Sequence, residues 1–171
     1  KNVNDTSFEN NTIIDNLHGV FFSSGFNNTI IDNTLSNNTI RLLPYRWPER
    51  WPLPPLSTWI RELIWYSGGI FFYDCSNNTI ANNILLNNER GIYFSASSLN
   101  IFKNNTMVGN LHNFGIESWI LIPQEWGINP PSKPQISPFL LNQIDTSNTV
   151  NGKPIYYWIN RNGEQVPSDA G

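Results

Sequence analysis

The chain has 171 residues, of which only 13 % are charged, and its net charge at neutral pH is −3. This composition excludes the basic surface that binds phosphate backbones, so we predict no nucleic-acid partner. One cysteine cannot form an internal disulfide, and with two histidines it does not make a zinc site of the usual spacing. We therefore predict no metal and no cofactor. No apolar run is long enough to predict a transmembrane helix.

The chain contains a repeat that begins with glycine, continues with apolar residues and ends with asparagines. The copies at 19–33, 69–83 and 91–105 align without a gap, and a fourth is placed at Gly115 and Ile116. The glycines of the last three copies are 22 and 24 residues apart, which is the length of one coil with three short strands. The repeat therefore predicts an all-β fold, a right-handed parallel β-helix with coils of about 22–24 residues.

Alternation of apolar and polar residues within each copy predicts which side chains point inward. The predicted inward rows are Val20, Ile70, Ile92 and Ile116; Phe22, Phe72 and Phe94; Ile30, Ile80 and Phe102; and Leu35, Leu85 and Met107. Two rows of asparagine fall at corners between strands: Asn28, Asn78 and Asn100, and Asn33, Asn83 and Asn105. Asparagine tolerates a left-handed backbone and its amide both donates and accepts, so we expect these rows to bond along the axis.

We interpret residues 1–171 as one β-helix segment of a longer protein, with two loop insertions rich in tryptophan and proline. The insertions lie at 39–67 and 118–139, and the first is predicted to contain a short helix near 58–66. Residues 140–171 are predicted to form hairpin-like strands around Asn-Gly turns. Neither end shows a cap pattern, so we expect a longer chain or end-to-end self-association.

Two motifs resemble a known family. Ser76 to Asn83, reading Ser-Asn-Asn-Thr-Ile-Ala-Asn-Asn, is similar to the repeat of NosD-like periplasmic proteins, within the carbohydrate-binding and sugar-hydrolase β-helix group. Residues 144–160 resemble archaeal cell-surface members of that family. The resemblance implies an extracellular, cell-surface or periplasm-like location.

The founding members of that family are implicated in copper delivery, which would require soft or imidazole ligands. The residues of those types in the chain are His18, His112, Met107 and Cys75. We favour a core role for Met107, which falls on an inward row, and regard the other three as incidental.

Sugar-cleaving β-helices place two or three carboxylates on neighbouring coils of one face. Asp15 and Asp32, each after Ile-Ile, are the best candidate pair. No Lys, Arg or Tyr repeats beside them, so we favour solvated surface residues and predict no catalytic site. The candidate binding residues are aromatic: Trp47, Trp51, Trp59, Trp65, Trp119 and Trp126 of the insertions, and the outward row of Phe21, Phe71 and Tyr93. For the outward row we favour a satellite core beneath the first insertion over an exposed binding surface.

Six Asn-x-Thr acceptors for glycosylation occur, at Asn4, Asn10, Asn27, Asn37, Asn77 and Asn104, five of them products of the repeat itself. The leading hypothesis for function is a non-catalytic surface module that adheres to other surface proteins or binds polysaccharide, with the β-helix as a rigid scaffold. The alternatives are a carbohydrate-active enzyme of the lyase, epimerase or hydrolase type that uses Asp15 and Asp32, and a copper-delivery protein.

Overall fold

The computed structural model describes residues 3–39, 67–117 and 140–171. The six insertion tryptophans and the short helix predicted near 58–66 lie outside these residues. The described chain forms fifteen short strands, which are arranged in three sheets. Within each sheet, neighbouring parallel strands come from successive coils. All strand pairs are parallel except the last pair of one sheet. The predicted parallel β-helix is confirmed.

The first four coils each contribute one strand to each sheet, and the last coil adds one strand to sheet 1 and two strands to sheet 2. Sheet 1 contains, in spatial order, β1 (Ser7–Glu9), β4 (Thr29–Ile31), β7 (Thr79–Ala81), β10 (Ile101–Lys103) and β13 (Gln143–Ile144). Sheet 2 contains β2 (Thr12–Ile14), β5 (Thr34–Ser36), β8 (Ile84–Leu86), β11 (Thr106–Val108), β14 (Thr149–Val150) and β15 (Lys153–Pro154). Sheet 3 contains β3 (His18–Ser23), β6 (Gly68–Tyr73), β9 (Arg90–Ser95) and β12 (His112–Glu117).

The core is built from rows of equivalent side chains, and the three sheets each contribute a row. Ile30 and Ile80 of sheet 1 and Leu35 and Leu85 of sheet 2 are fully buried. In sheet 3 the Phe72 ring stacks on its neighbours in the coils before and after it, with ring centroids 5.3 Å and 4.9 Å apart. These inward rows are the ones that the alternation of apolar residues predicts.

The predicted position of the fourth copy is wrong by two residues. Ile92 pairs with Phe114, whereas Ile116 pairs with Phe94. The coil keeps a spacing of 22 residues here, and Gly115 lies opposite Tyr93 instead of Gly91. Aligning on the Gly-Ile dipeptide failed because phenylalanine replaces the aliphatic residue in the last member of this row.

Asparagine side chains form three buried ladders along the axis instead of the two that were predicted. Their members are Asn28, Asn78, Asn100 and Asn142; Asn33, Asn83, Asn105 and Asn148; and Asn38, Asn88 and Asn110. In every member except the last of each ladder, the amide nitrogen donates to the amide oxygen one coil further on, at 2.8–3.0 Å. That same oxygen also accepts a backbone N–H, so the ladders satisfy polar groups that the core would otherwise leave unpaired.

The left-handed backbone belongs to the residue before each ladder asparagine. Asn27, Asp32, Asn37, Asn77 and Asn82 have φ values between 55° and 58° and are exposed, whereas the asparagine that follows each is buried. Two adjacent residues therefore divide these roles: the exposed residue bends the chain, and the buried asparagine after it forms the hydrogen bonds along the axis. The expectation that one asparagine does both was wrong.

The glycine that opens each repeat copy is required by the close approach of successive coils. A Cβ on Gly69 would lie 2.6 Å from the Gly91 carbonyl oxygen and 2.7 Å from Leu85 Cδ2. Gly19 meets equivalent atoms of the next coil, the carbonyl oxygen of Gly69 at 2.4 Å and Leu35 Cδ2 at 2.7 Å. No larger residue fits at this step of the coil without moving a backbone.

The last coil ends in a short antiparallel hairpin. β15 pairs with β14, and Asn151 and Gly152 form the turn with positive φ at both positions. Gly171 then donates its N–H to the Pro154 carbonyl at 2.9 Å. β15 thereby lies beyond β14 as the outermost strand at this end of sheet 2. No strand occurs in residues 155–171.

Candidate functional site

A groove of about 410 Å³ lies where the segment 157–161 passes β10 and β13. Its volume falls within the range of small-molecule and sugar sites. Outward side chains of the two strands line it, among them Ile101, Lys103 and Gln143, and Asp145 follows β13. Tyr157, Trp158 and Arg161 line it from the crossing segment.

The aromatic part of the groove is held in place by contacts on either side of it. The Tyr157 hydroxyl donates to the Leu140 carbonyl at 2.5 Å, which ties the crossing segment to the corner before β13. Burial raises the pKa of Tyr157, so this hydroxyl stays protonated and remains a donor. The guanidinium of Arg161 lies 5.6 Å from the centre of the Trp158 ring, and the Tyr156 ring meets the indole edge-on at 6.0 Å.

The charges in and beside the groove balance. Arg161 forms an ion pair with Glu164 at 3.3 Å. Lys103 follows Phe102 and Asp145 follows Ile144, and because Phe102 and Ile144 are paired, Lys103 and Asp145 lie one coil apart. The groove and its rim thus carry two cations and two anions, and the remaining lining groups are amides, apolar side chains and aromatic rings.

Asp145 also has a structural task. Its Oδ1 accepts the Ser147 N–H at 3.1 Å, the Ser147 hydroxyl, and the Asn148 amide at 3.3 Å. These bonds close the corner between β13 and β14, so the carboxylate is fixed as an acceptor at the groove.

The two candidate catalytic carboxylates are not brought together. Asp32 follows β4 in sheet 1, in the row of Asn10 and Asn82, whereas Asp15 follows β2 in sheet 2, in the row of Asn37. Both have a left-handed backbone and are exposed. They occupy different corners of the coil, so they do not form the facing pair that their common Ile-Ile-Asp sequence suggested.

The outward aromatic row on sheet 3 is a continuous stack. The Phe71 ring lies 5.6 Å from Phe21 and 5.5 Å from Tyr93, with the rings nearly parallel. Phe21 is 46 % exposed, whereas Phe71 is only 5 % exposed. The row ends at Gly115, because the Tyr93 ring occupies the space of a side chain there.

Tyr93 is the most perturbed titratable group at this end of the row. Burial and its hydrogen bond to the Glu117 carboxylate raise the pKa of Tyr93 to about 12. The Arg90 guanidinium lies 5.4 Å from the ring centre. The phenol is thereby a fixed donor to Glu117, and not a base at neutral pH.

The residues considered for copper are dispersed. Met107 is fully buried in the sheet 2 row, and Cys75 is buried with its thiol donating to the Tyr73 carbonyl at 3.2 Å. Burial raises the pKa of the Cys75 thiol. His18 and His112 begin the first and last strands of sheet 3, about 14 Å apart at the usual strand spacing. Within the described ranges, no three His, Cys, Asp or Glu residues lie close enough to hold a metal ion.

The six glycosylation acceptors are all exposed. Five of them immediately precede a ladder residue or its counterpart in the first coil, and have positive φ. Asn27 and Asn77 occupy the same corner of successive coils, because Asn28 bonds to Asn78. Two glycans at these positions would start about 5 Å apart.

The geometry of stacked parallel coils agrees with the comparison to known families. A family profile described as "right handed beta helix region" matches residues 1–118. The chain belongs to the right-handed β-helix family. No curated protein and no solved structure gives a significant match to this β-helix chain.

This right-handed β-helix has a groove that the sequence analysis did not identify. Tyr157 and Trp158 lie within the 144–160 motif, which was treated only as a family signature, and no sequence pattern placed them beside Lys103. The adjacent aromatic residues Tyr157 and Trp158 were the sequence feature that could have indicated this groove. In the portion of the β-helix that the structure describes, no helix has the length and apolar character needed to span a bilayer.

Proposed function

We propose that this chain is a non-catalytic, carbohydrate-binding module of an extracellular or cell-surface protein. The β-helix serves as the rigid scaffold, and the groove beside Trp158 holds the sugar. The partner is a polysaccharide of an envelope or of a neighbouring surface.

The groove carries this proposal because it combines the groups that sugar recognition requires. Sugar rings present apolar C–H faces, which pack on an aromatic ring, and hydroxyls, which bond to amides and carboxylates. Trp158 and Tyr157 supply the aromatic surface, and Gln143 and Asp145 supply the polar one. Gln143 is exposed and lies on a strand, so its position is set by the ladder that holds β13.

The experiment is affinity electrophoresis and a glycan array with the 171-residue chain and a Trp158→Ala variant. We expect the wild type to be retarded by at least one polysaccharide and the variant to lose that retardation. Phe26→Ala removes a more exposed aromatic residue, 42 % exposed, from a distant corner and should bind as the wild type does. A Trp158→Ala protein that keeps full binding would contradict the proposed site.

A further inference from the structure

One of the six glycosylation acceptors lies at the edge of the groove. Asn104 directly follows Lys103, whose side chain lines the groove, and their Cα atoms are about 3.8 Å apart. The Asn104 N–H donates to the Ser147 hydroxyl at 2.8 Å, and that hydroxyl donates to Oδ1 of Asp145. Asp145 also lines the groove. A single side chain, that of Ser147, therefore connects the Asn104 backbone to the groove wall.

The other five acceptors lie elsewhere on the β-helix. Asn10 is at the same corner of the coil, between sheets 1 and 2, but three coils earlier, which is about 14 Å along the axis. The remaining four lie at the other two corners of the coil: Asn4, Asn27, Asn77 and Asn37. A sugar attached to Asn104 would therefore start beside the groove, and a sugar on any other acceptor would not.

The Asn104 side chain is accessible for modification. It is exposed, and within the part of the chain that the structure describes its amide makes no hydrogen bond. The amide of Asn27, in contrast, donates to Asp5 at 3.2 Å. Asn104 has a left-handed backbone, φ 54°, which matches that of Asn10, φ 56°. These two acceptors thus have the same local conformation and differ in their distance from the groove.

We propose that Asn104 carries an N-linked glycan whose sugar occupies the groove and competes with the polysaccharide. This inference rests on the proposed function, because it needs a sugar-binding groove and an extracellular chain. The donor is an oligosaccharide on a lipid diphosphate. Nδ2 of Asn104 bonds to the anomeric carbon of the oligosaccharide, the bond from that carbon to the diphosphate oxygen breaks, the lipid diphosphate leaves with the electron pair, and the amide releases one proton.

A glycan attached at this position has an advantage over a free ligand. It belongs to the chemical class that the groove binds, and its tether gives it an effective concentration in the millimolar range. If one sugar binds the groove with a Kd of about 0.1 mM, the tethered sugar lowers the affinity for free polysaccharide about tenfold. The glycan would therefore regulate the groove, because unmodified chains bind polysaccharide and modified chains bind it weakly.

The first test uses the chain secreted by a glycosylating eukaryotic host, with peptide mass mapping of Asn104. Thr106→Val removes this acceptor sequence but keeps Asn104, and Thr12→Val does the same for Asn10. Both threonines are the first residue of a strand in sheet 2. We expect Asn104 to be modified, and Thr106→Val to bind the polysaccharide that retards the unglycosylated chain about tenfold more tightly than the secreted wild type does.

Thr12→Val should bind as the secreted wild type does, because the sugar that it removes lies far from the groove. An unmodified Asn104, whether or not other acceptors are modified, would overturn the proposal. Equal affinities of the secreted wild type and Thr106→Val would also overturn it.

The second test needs no polysaccharide. Asn104→Cys and Asn10→Cys each introduce an exposed thiol, whereas Cys75 is buried. Alkylation with the iodoacetamide of N-acetylglucosamine attaches one sugar and releases hydrogen iodide. The NMR resonance of the Trp158 indole N–H, assigned through Trp158→Phe, should shift with the sugar at position 104 and stay unchanged with the sugar at position 10.

An unchanged resonance with the sugar at position 104 would overturn the inference. A shifted resonance, combined with no polysaccharide that binds the unglycosylated chain, would support the contact between the attached sugar and the groove and contradict only the proposed function.

Discussion

The side-chain amide of Asn83 donates to the side-chain oxygen of Asn105, one coil further on, at 3.0 Å. The same amide donates to the Ile30 carbonyl at 2.9 Å, and its oxygen accepts from the amide of Asn33 at 3.0 Å. One residue thus connects three successive coils through groups that are all buried.

We predict that Asn83→Ala lowers the free energy of unfolding by about 3 kcal/mol, because it leaves several buried donors and acceptors without partners. Urea denaturation monitored by circular dichroism measures the change. The control is Asn82→Gly at the preceding exposed, left-handed position, where glycine meets no strain and the expected change is within about 0.5 kcal/mol. Equal effects at both positions would show that the ladder adds no stability.

Gly69→Ala should destabilise the β-helix by more than about 2 kcal/mol, because the new methyl group would overlap the Gly91 carbonyl and Leu85. Gly163→Ala is the comparison. Unlike Gly69, it lies at positive φ, 75°, but nothing stands within 4 Å of its added Cβ, so only the backbone cost of about 1 kcal/mol applies. Thermal melting of both variants gives the difference, and a smaller loss for Gly69→Ala would refute the close approach.

The pKa of Tyr93, about 12 against a usual value of 10.0, predicts how stability changes in alkali. In the folded state the phenol is held protonated, whereas in the unfolded chain it ionises near pH 10. This contribution to stability is therefore complete below pH 10 and is lost as the pH rises towards 12. Denaturation curves across this range should show the loss, and Tyr93→Phe should reduce it.

Ultraviolet titration supplies a second measurement on Tyr93. Replacing Glu117 by Gln removes a negative charge, so the pKa of Tyr93 should fall but stay above 10, because burial still opposes ionisation. An unchanged titration in Glu117→Gln would show that the carboxylate does not contact the phenol.

The balanced charges of the groove predict that sugar binding depends weakly on salt. If the ligand is neutral, its affinity should change by no more than about twofold while the Debye length is reduced from about 30 Å to about 3 Å. Calorimetry at the two ionic strengths measures this. A steep loss of affinity in salt would instead identify an anionic ligand held by Lys103 or Arg161, even if Trp158 remains essential.

The sequence by itself determined the β-helix and most of its core. Every coil repeats the same local properties: a period of 22 residues, alternating apolar positions and paired asparagines. A single sequence therefore contains several copies of the same pattern. Ile30, Leu35 and Phe72 could be placed inside the core for that reason. The exception, Ile116, lies where the final copy departs from the repeat and only the pairing of strands fixes the register.

Only the tertiary structure determined which candidate residues lie together and where a ligand could bind. Asp15 and Asp32 both follow Ile-Ile, but they lie at different corners of the coil. The segment that forms one corner resembles the segment that forms the next corner of the same coil, so the local sequence does not tell the two corners apart. The groove joins Lys103 to Trp158, two residues far apart in the sequence. Their proximity depends on how the segment after β15 crosses the coils, a long-range packing choice for which no periodic pattern exists.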